Sequence, residues 1–297
     1  MASEIETITT SGEYLKPGGL KHFIGRLFKV RLAAVGMFFI AVLIISSIFA
    51  PVLAPNDPGA ANGYRSLEGP SRDFLLGTDY LGRDILSRLI YGSRISLLVA
   101  VLSVGITVMI GVPLGLVAGY VGGRIDTVFM RLMDTLYAFP PLLLALTLVA
   151  ALGPSIFNVI LAVGIVMIPT FSRLTRAQTL SVREQTYVIA ARTVGSPVRR
   201  ILFRHIWPNV MAAIIVQSSL GMAVAILAES SLSYMGVGVR PPTATWGVML
   251  AEGYPHLVSN PWLSIIPGSA IFLTVLSLNF VGDALRDVLD PRLRGVT

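Results

Sequence analysis

The stretch TLYAFPPLLLALTLVAALGPSIFNVILAVGIVMIPTFS, from Thr135 to Ser172, holds 38 residues without a charged side chain. As one helix at about 1.5 Å per residue it would reach roughly 57 Å, far beyond a bilayer core of about 30 Å. It therefore reads as two spans. The break falls at Gly153, Pro154 and Ser155, where a helix-ending glycine precedes a proline that cannot continue the helix.

Four further charge-free runs flank this one: Leu32 to Asn56, Ile95 to Gly123, His205 to Ala228 and Gly253 to Gly282. Each is long enough for one crossing, so the expectation is an all-α membrane protein of six transmembrane helices. An even count puts both ends on one side. Of the 23 Lys and Arg residues, 17 fall on the face that carries the termini and 6 on the other, so the positive-inside rule makes both termini cytoplasmic. Composition agrees, with 54% apolar residues, a mean hydropathy of +0.75 and 13% charged residues against about 25% in an average globular protein. The net charge of +7 follows from this topology and gives no reason to expect nucleic acid.

Residues 1–31 read as a polar cytoplasmic tail closing on Lys21, Arg26, Lys29 and Arg31. The basic segment suits either a short interfacial helix or an ordinary flank that orients the first span. Residues 32–94 comprise that span, an outer loop and the stretch Leu76 to Arg94. There Leu81, Ile85, Leu86 and Leu89 predict an amphipathic helix, either a collar across the bundle or a docking surface for an extracytoplasmic partner. Residues 95–283 form the helical core, with a cytoplasmic loop at 173–209, and residues 284–297 form a cytoplasmic tail. In the second span Gly111, Gly115, Gly119 and Gly123 recur every four residues, so one helix face admits another backbone closely. That seam lies either within this chain or against a second subunit. Pro113 predicts a kink beside it.

Several chemistries are missing. His22, His205 and His256 are too scattered for a metalloprotease helix, no nucleophile elbow occurs, and no metal-ligand cluster or catalytic residue is apparent. With no cysteine, thiolate sites are excluded. The only lysines are Lys16, Lys21 and Lys29, none in a phosphate-binding loop. The spans also carry no ionisable group at their centres, where an ion-driven carrier would need one. A transport bundle without its own ATPase or ion relay draws its energy from a partner; a passive channel component or a scaffold would read the same way. Gln217, Ser218 and Ser219 in the fifth span, and Glu229 at its outer end, are candidates for facing a wet pathway.

The loop at 173–209 is helical in pattern and interrupted at Gly195, Ser196 and Pro197. Glycine suits the left-handed residue after a helix, serine the cap of the next and proline its first position. Two helices meeting at a bend are expected. Ala190 and Ala191 are small enough to enter a partner's groove, with Arg192, Arg199, Arg200 and Arg204 at its rim; a hairpin lying on anionic headgroups fits the same composition.

The segment IAARTVGSPVRRILFRHIWPN resembles the EAA loop of binding-protein-dependent ABC importers, in which an EAA triplet is followed by a spaced glycine and a hydrophobic element ending in proline. Ala190, Ala191, Gly195 and Pro208 fall on that spacing, with Ile189 where the family carries Glu and Trp207 where it carries Leu. GTDYLGRDILSRLIYGSRISL, ILAESSLSYMGVGVRPPTATWGVML and FVGDALRDVLDPRLRG are similar to the C-type permease of dipeptide and oligopeptide importers. The resemblance implies a type I ABC importer permease fold in the cytoplasmic membrane. Implied partners are a second homologous permease, two cytoplasmic ATP-binding subunits holding ATP and Mg, and an extracytoplasmic substrate-binding protein. The chain itself would hold no cofactor, touch membrane lipid, and couple to the ATPases through Ala190, Ala191, Gly195 and Pro208. Peptides are the expected cargo; nickel or another small solute carried by the same architecture, and a non-transporting scaffold, are the alternatives.

Overall fold

The computed structural model describes residues 30–289. The expected tail at 1–19, the basic residues Lys21, Arg26 and Lys29, and the end of the chain at 290–297 lie outside them. Within them the long elements are α1 (Arg31–Ile48), α2 (Ile85–Val121), α3 (Gly123–Tyr137), α4 (Pro141–Leu152), α5 (Ile156–Arg183), α6 (Thr186–Thr193), α7 (Val198–Tyr234), α8 (Trp246–Gly253) and α9 (Trp262–Leu289). Among these, α1, α2, α5, α7 and α9 are long and apolar enough to cross a membrane.

The remaining candidate span is a bent pair. α3 and α4 meet at 86°, and the corner is Ala138, Phe139 and Pro140 followed by Pro141. Two successive prolines remove backbone donors and push the residues before them out of helical geometry. The opening stretch therefore holds a short α4 of 12 residues rather than a full-length straight helix. Its other break is where the sequence puts it. Gly153 adopts φ +92, Ser155 caps α5 by accepting the Asn158 amide at 3.1 Å, and Asn158 Nδ2 donates to the carbonyls of Leu152 and Gly153 at 2.9 Å.

The outer amphipathic segment departs from expectation. Residues 77–84 form a tight turn closed by a Thr78–Asp84 bridge, with Gly77 and Gly82 at positive φ. The helix starts only at Ile85, where Asp84 accepts the Ser87 amide at 3.1 Å. From there α2 runs 37 residues without a break at Arg94 or Pro113, so the outer helix and the second span are one rod.

The core is built on α2 against α5. A Cβ added at Gly111 would stand 3.0 Å from the Ile168 carbonyl, at Gly115 2.7 Å from Thr175 Cβ, and at Gly119 2.8 Å from Thr179 Cβ. This resolves the seam as internal to the chain and excludes Gly123, whose added Cβ would meet nothing. Reciprocal bonds line the seam: Ser172 Oγ donates to Gly111 O at 3.0 Å, Ser103 Oγ to Ile160 O at 3.1 Å and Thr107 Oγ1 to Gly164 O at 2.8 Å. Close backbone approach and interhelical hydroxyl bonds are how helices associate where lipid removes the hydrophobic drive.

Candidate functional site

The elbow occupies one end of the bundle. α5 continues to Arg183, the chain breaks at Glu184 and Gln185, α6 follows, and a second bend leads into α7. The first of these breaks is not foreseen by the punctuation. At the second, Gly195 takes φ +76, its amide donates to Arg192 O at 3.0 Å, and the Ser196 amide reaches Ala191 O at 3.1 Å. These two bonds satisfy carbonyls that a helix end leaves open. The next helix starts one residue later than expected: Pro197, not Ser196, is its cap residue and makes no side-chain cap bond.

Val188, Ile201 and Ile206 are fully or nearly fully buried and pack with Val112, Leu116 and Phe171 of α2 and α5, anchoring the elbow. Its outer surface is the opposite: Ala190 and Gly195 are exposed, Ala191 half-buried, Val194 80% and Phe203 65% exposed. Between Thr186 and Asn209 there is no acidic residue, and among the described residues Arg192, Arg199, Arg200 and Arg204 make no ion pair. Arg192 instead lies 5.6 Å over the Tyr120 ring.

Pro208 sits near the start of the apolar part of α7, where its ring would collide with the carbonyl four residues back. The helix widens into a π turn at Leu202–Ile206, which accommodates the proline without breaking the rod. Elbow and span therefore form one continuous helix of 37 residues.

Three arginines of α5 connect this end to the rest of the bundle. Arg176 grips Asp126 of α3, Arg173 bonds Asp134 at 2.6 Å, and Arg183 Nη1 donates to Gly119 O at 3.0 Å, closing the end of α2. None of these links is readable from sequence spacing, since each joins residues tens of positions apart.

The candidate pathway residues are dispersed along α7. Gln217 and Ser218 are half-buried, with Ser218 Oγ turned back to Ile214 O at 2.7 Å. Ser219 Oγ donates to Leu278 O of α9 at 2.9 Å. Glu229 is 0% exposed; Ser233 Oγ donates to it at 2.9 Å, and Ser96 and Ser230 approach at 3.4 Å.

At the end of the bundle opposite the elbow lies a charge cluster that sequence reading missed. Arg83 donates to Asp79 at 2.6 Å and to Glu252 at 2.9 Å, and Arg88, 1% exposed, donates to Glu252 at 2.6 Å. Burial alone lowers the Arg83 pKa, but Asp79 and Glu252 more than offset it and hold the guanidinium above its ordinary value. Alongside it, Trp246 Nε1 donates to Leu89 O at 3.1 Å, joining α8 to α2. Among the described residues no group of three His, Asp or Glu is arranged to hold a metal.

Membrane-length helices around a glycine-seamed pair, with an exposed basic elbow at one end, define a membrane component of a transport system. The chain belongs to the family of binding-protein-dependent transport system inner membrane components, whose model matches residues 111–295. Residues 20–70 match a second model, the N-terminal TM domain of oligopeptide transport permease C. The chain is 43% identical to the dipeptide transport system permease protein of Alkalihalophilus pseudofirmus, over 91% of this chain and 88% of that one. It is 42% identical to the di/tripeptide transport system permease protein of Pseudomonas aeruginosa, over 94% of both chains. It is 43% identical to the glutathione transport system permease protein of Pectobacterium atrosepticum, over 92% and 91%.

Proposed function

We propose that this chain is one of two permease subunits of an ATP-driven, binding-protein-dependent importer, forming half of the pathway for di- or oligopeptides across the cytoplasmic membrane. The observation that carries the reading is the elbow. It is anchored by Val188, Ile201 and Ile206, yet it exposes Ala190, Gly195 and four arginines, Arg192, Arg199, Arg200 and Arg204, that make no ion pair among the described residues. A surface so built, on a chain without a nucleotide motif, suits docking to an ATPase that supplies the energy.

In this reading the bent pair of α3 and α4 counts as the sixth span, and both termini are cytoplasmic, as the distribution of Lys and Arg supports. ATP-driven closure of two cytoplasmic subunits displaces Ala190 to Gly195, tilts the fourth and fifth spans, and alternates access to a pathway shared with a second homologous permease. Ala191 and Gly195 carry the coupling, and an extracytoplasmic binding protein delivers the cargo. Peptides are favoured because three relatives are named as permeases for dipeptides, di/tripeptides and glutathione.

The test uses the absence of native cysteine. In the assembled complex Ala191→Cys should crosslink to a cytoplasmic ATPase bearing a cysteine in its docking groove, and no crosslink at any groove position would refute the coupling role. Uptake of labelled dipeptides should fall in a strain deleted for this chain and lacking redundant importers; unchanged uptake refutes the peptide cargo.

A further inference from the structure

At the end of α2 opposite the elbow, an open groove runs between the last turn of α1, the start of the α2 apolar run and the loop at Pro242–Ala244. Its space is about 690 Å³, within the roughly 300–1,000 Å³ of small-molecule sites. The groove changes character along its length. Ile48, Ile95 and Leu98 line the part that continues into the spans, and Ile48 and Leu98 are exposed. Asp57, in the loop that follows α1, and Arg94, within α2 one turn before Leu98, line the other part, and both are exposed.

These two charges are opposite in sign, share one groove and do not pair with each other; among the described residues neither has any ion-pair partner. One Asp57 oxygen, Oδ1, accepts the Gly59 amide at 2.8 Å, which orients the carboxylate and leaves its second oxygen open. Arg94 is also the charge that closes the uncharged run Ile95 to Gly123, so its level in the membrane is that of the headgroups.

We infer that this groove is a phospholipid site selective for a zwitterionic aminophospholipid headgroup. Arg94 holds the phosphate, Asp57 accepts from the ammonium, and the first methylenes of an acyl chain lie along Ile48, Ile95 and Leu98. Guanidinium and phosphate form paired charge-assisted bonds, and a primary ammonium brings three donors for the free Asp57 oxygen. An anionic headgroup without an amine would satisfy Arg94 but set a negative charge against Asp57. The apolar floor on membrane-length helices makes the occupant a lipid rather than a soluble zwitterion.

Native mass spectrometry of the purified full-length chain, titrated with phosphatidylethanolamine or phosphatidylglycerol of identical acyl chains, tests this directly. Phosphatidylethanolamine should be retained about threefold more strongly, the size expected of an exposed charge pair. Asp57→Asn should bring the ratio of the two lipids to one, while Arg94→Gln should weaken both by about threefold. Equal retention by the wild type, or an unchanged ratio in Asp57→Asn, overturns the inference. The same measurement on the assembled complex should give the same preference; its loss there would mean that a protein partner fills the groove, and would overturn it too. Both substituted side chains are exposed, and a monodisperse elution profile verifies that the variants are folded. The outcome does not depend on what the chain transports.

Discussion

Arg176 of α5 and Asp126 of α3 form a two-pronged ion pair, Nε to Oδ1 at 2.5 Å and Nη2 to Oδ2 at 2.6 Å, between residues 50 apart in the chain. It fixes α3 against the stretch of α5 that leads into the elbow. The two side chains are 34% and 17% exposed, so solvent screens the pair and its worth is about 1 kcal/mol. Asp126→Asn should lower the thermal midpoint in detergent by a few degrees, and the swap Asp126→Arg with Arg176→Asp should recover part of the loss. Equal midpoints for wild type and Asp126→Asn would show that the pair contributes nothing.

Gly115 has no room for a side chain. An added Cβ would lie 2.7 Å from Thr175 Cβ and 3.0 Å from the Arg176 amide, and backbone cannot yield as a flexible side chain does. Gly115→Ala should therefore destabilise the protein by about 1–3 kcal/mol through overpacking. Gly105 is the control on the same helix, with nothing within 4 Å of an added Cβ. Gly105→Ala should be neutral or stabilising by up to about 1 kcal/mol. Thermal unfolding of the two variants side by side checks the contrast.

Gly195 presents the reverse situation: space is open, but φ is +76. Gly195→Ala should cost about 1 kcal/mol through backbone strain alone, and Gly195→Asn less, because asparagine tolerates the left-handed region better. Since the strain falls on the elbow, transport-coupled ATP hydrolysis in the assembled complex should drop more in the alanine variant than in the asparagine one. Proteolysis of the elbow should rise in the same order.

Glu252 bonds both Arg83 and Arg88, whose side chains are 3% and 1% exposed. Glu252→Gln removes one carboxylate from two buried guanidinium groups and leaves Asp79 as the remaining counter-charge, 3.6 Å from Arg88. Loss of one partner from a buried ion pair costs about 3–5 kcal/mol. The variant should express poorly and unfold well below the wild type in a detergent melt. A midpoint within a degree of wild type would show that the cluster is dispensable.

Much of the elbow is legible in the residues themselves because its signals are local. Gly195 alone among its neighbours adopts the left-handed cap without strain, and Pro208 must disturb the helix wherever it sits. The one-residue error at Ser196 has the same origin: with Pro197 already restricting the chain, proline itself takes the cap position and leaves serine outside. The corner at Ala138 to Pro140 was equally local, written in Pro140 and Pro141, although charge counting alone passes over it.

What the sequence by itself determined is the set of membrane-length apolar segments, the break at Gly153 to Ser155, the bend at Gly195 and the family resemblance. Each depends on a residue's own chemistry or on neighbours within a turn or two. Only the tertiary structure decided that Gly111, Gly115 and Gly119 face α5 rather than a second subunit, that Arg176 belongs to Asp126, and that Glu252 serves Arg83 and Arg88. A four-residue repeat defines a bare helix face but not what covers it, and a charge states its sign but not its partner. Those choices follow from close packing between segments distant in the chain.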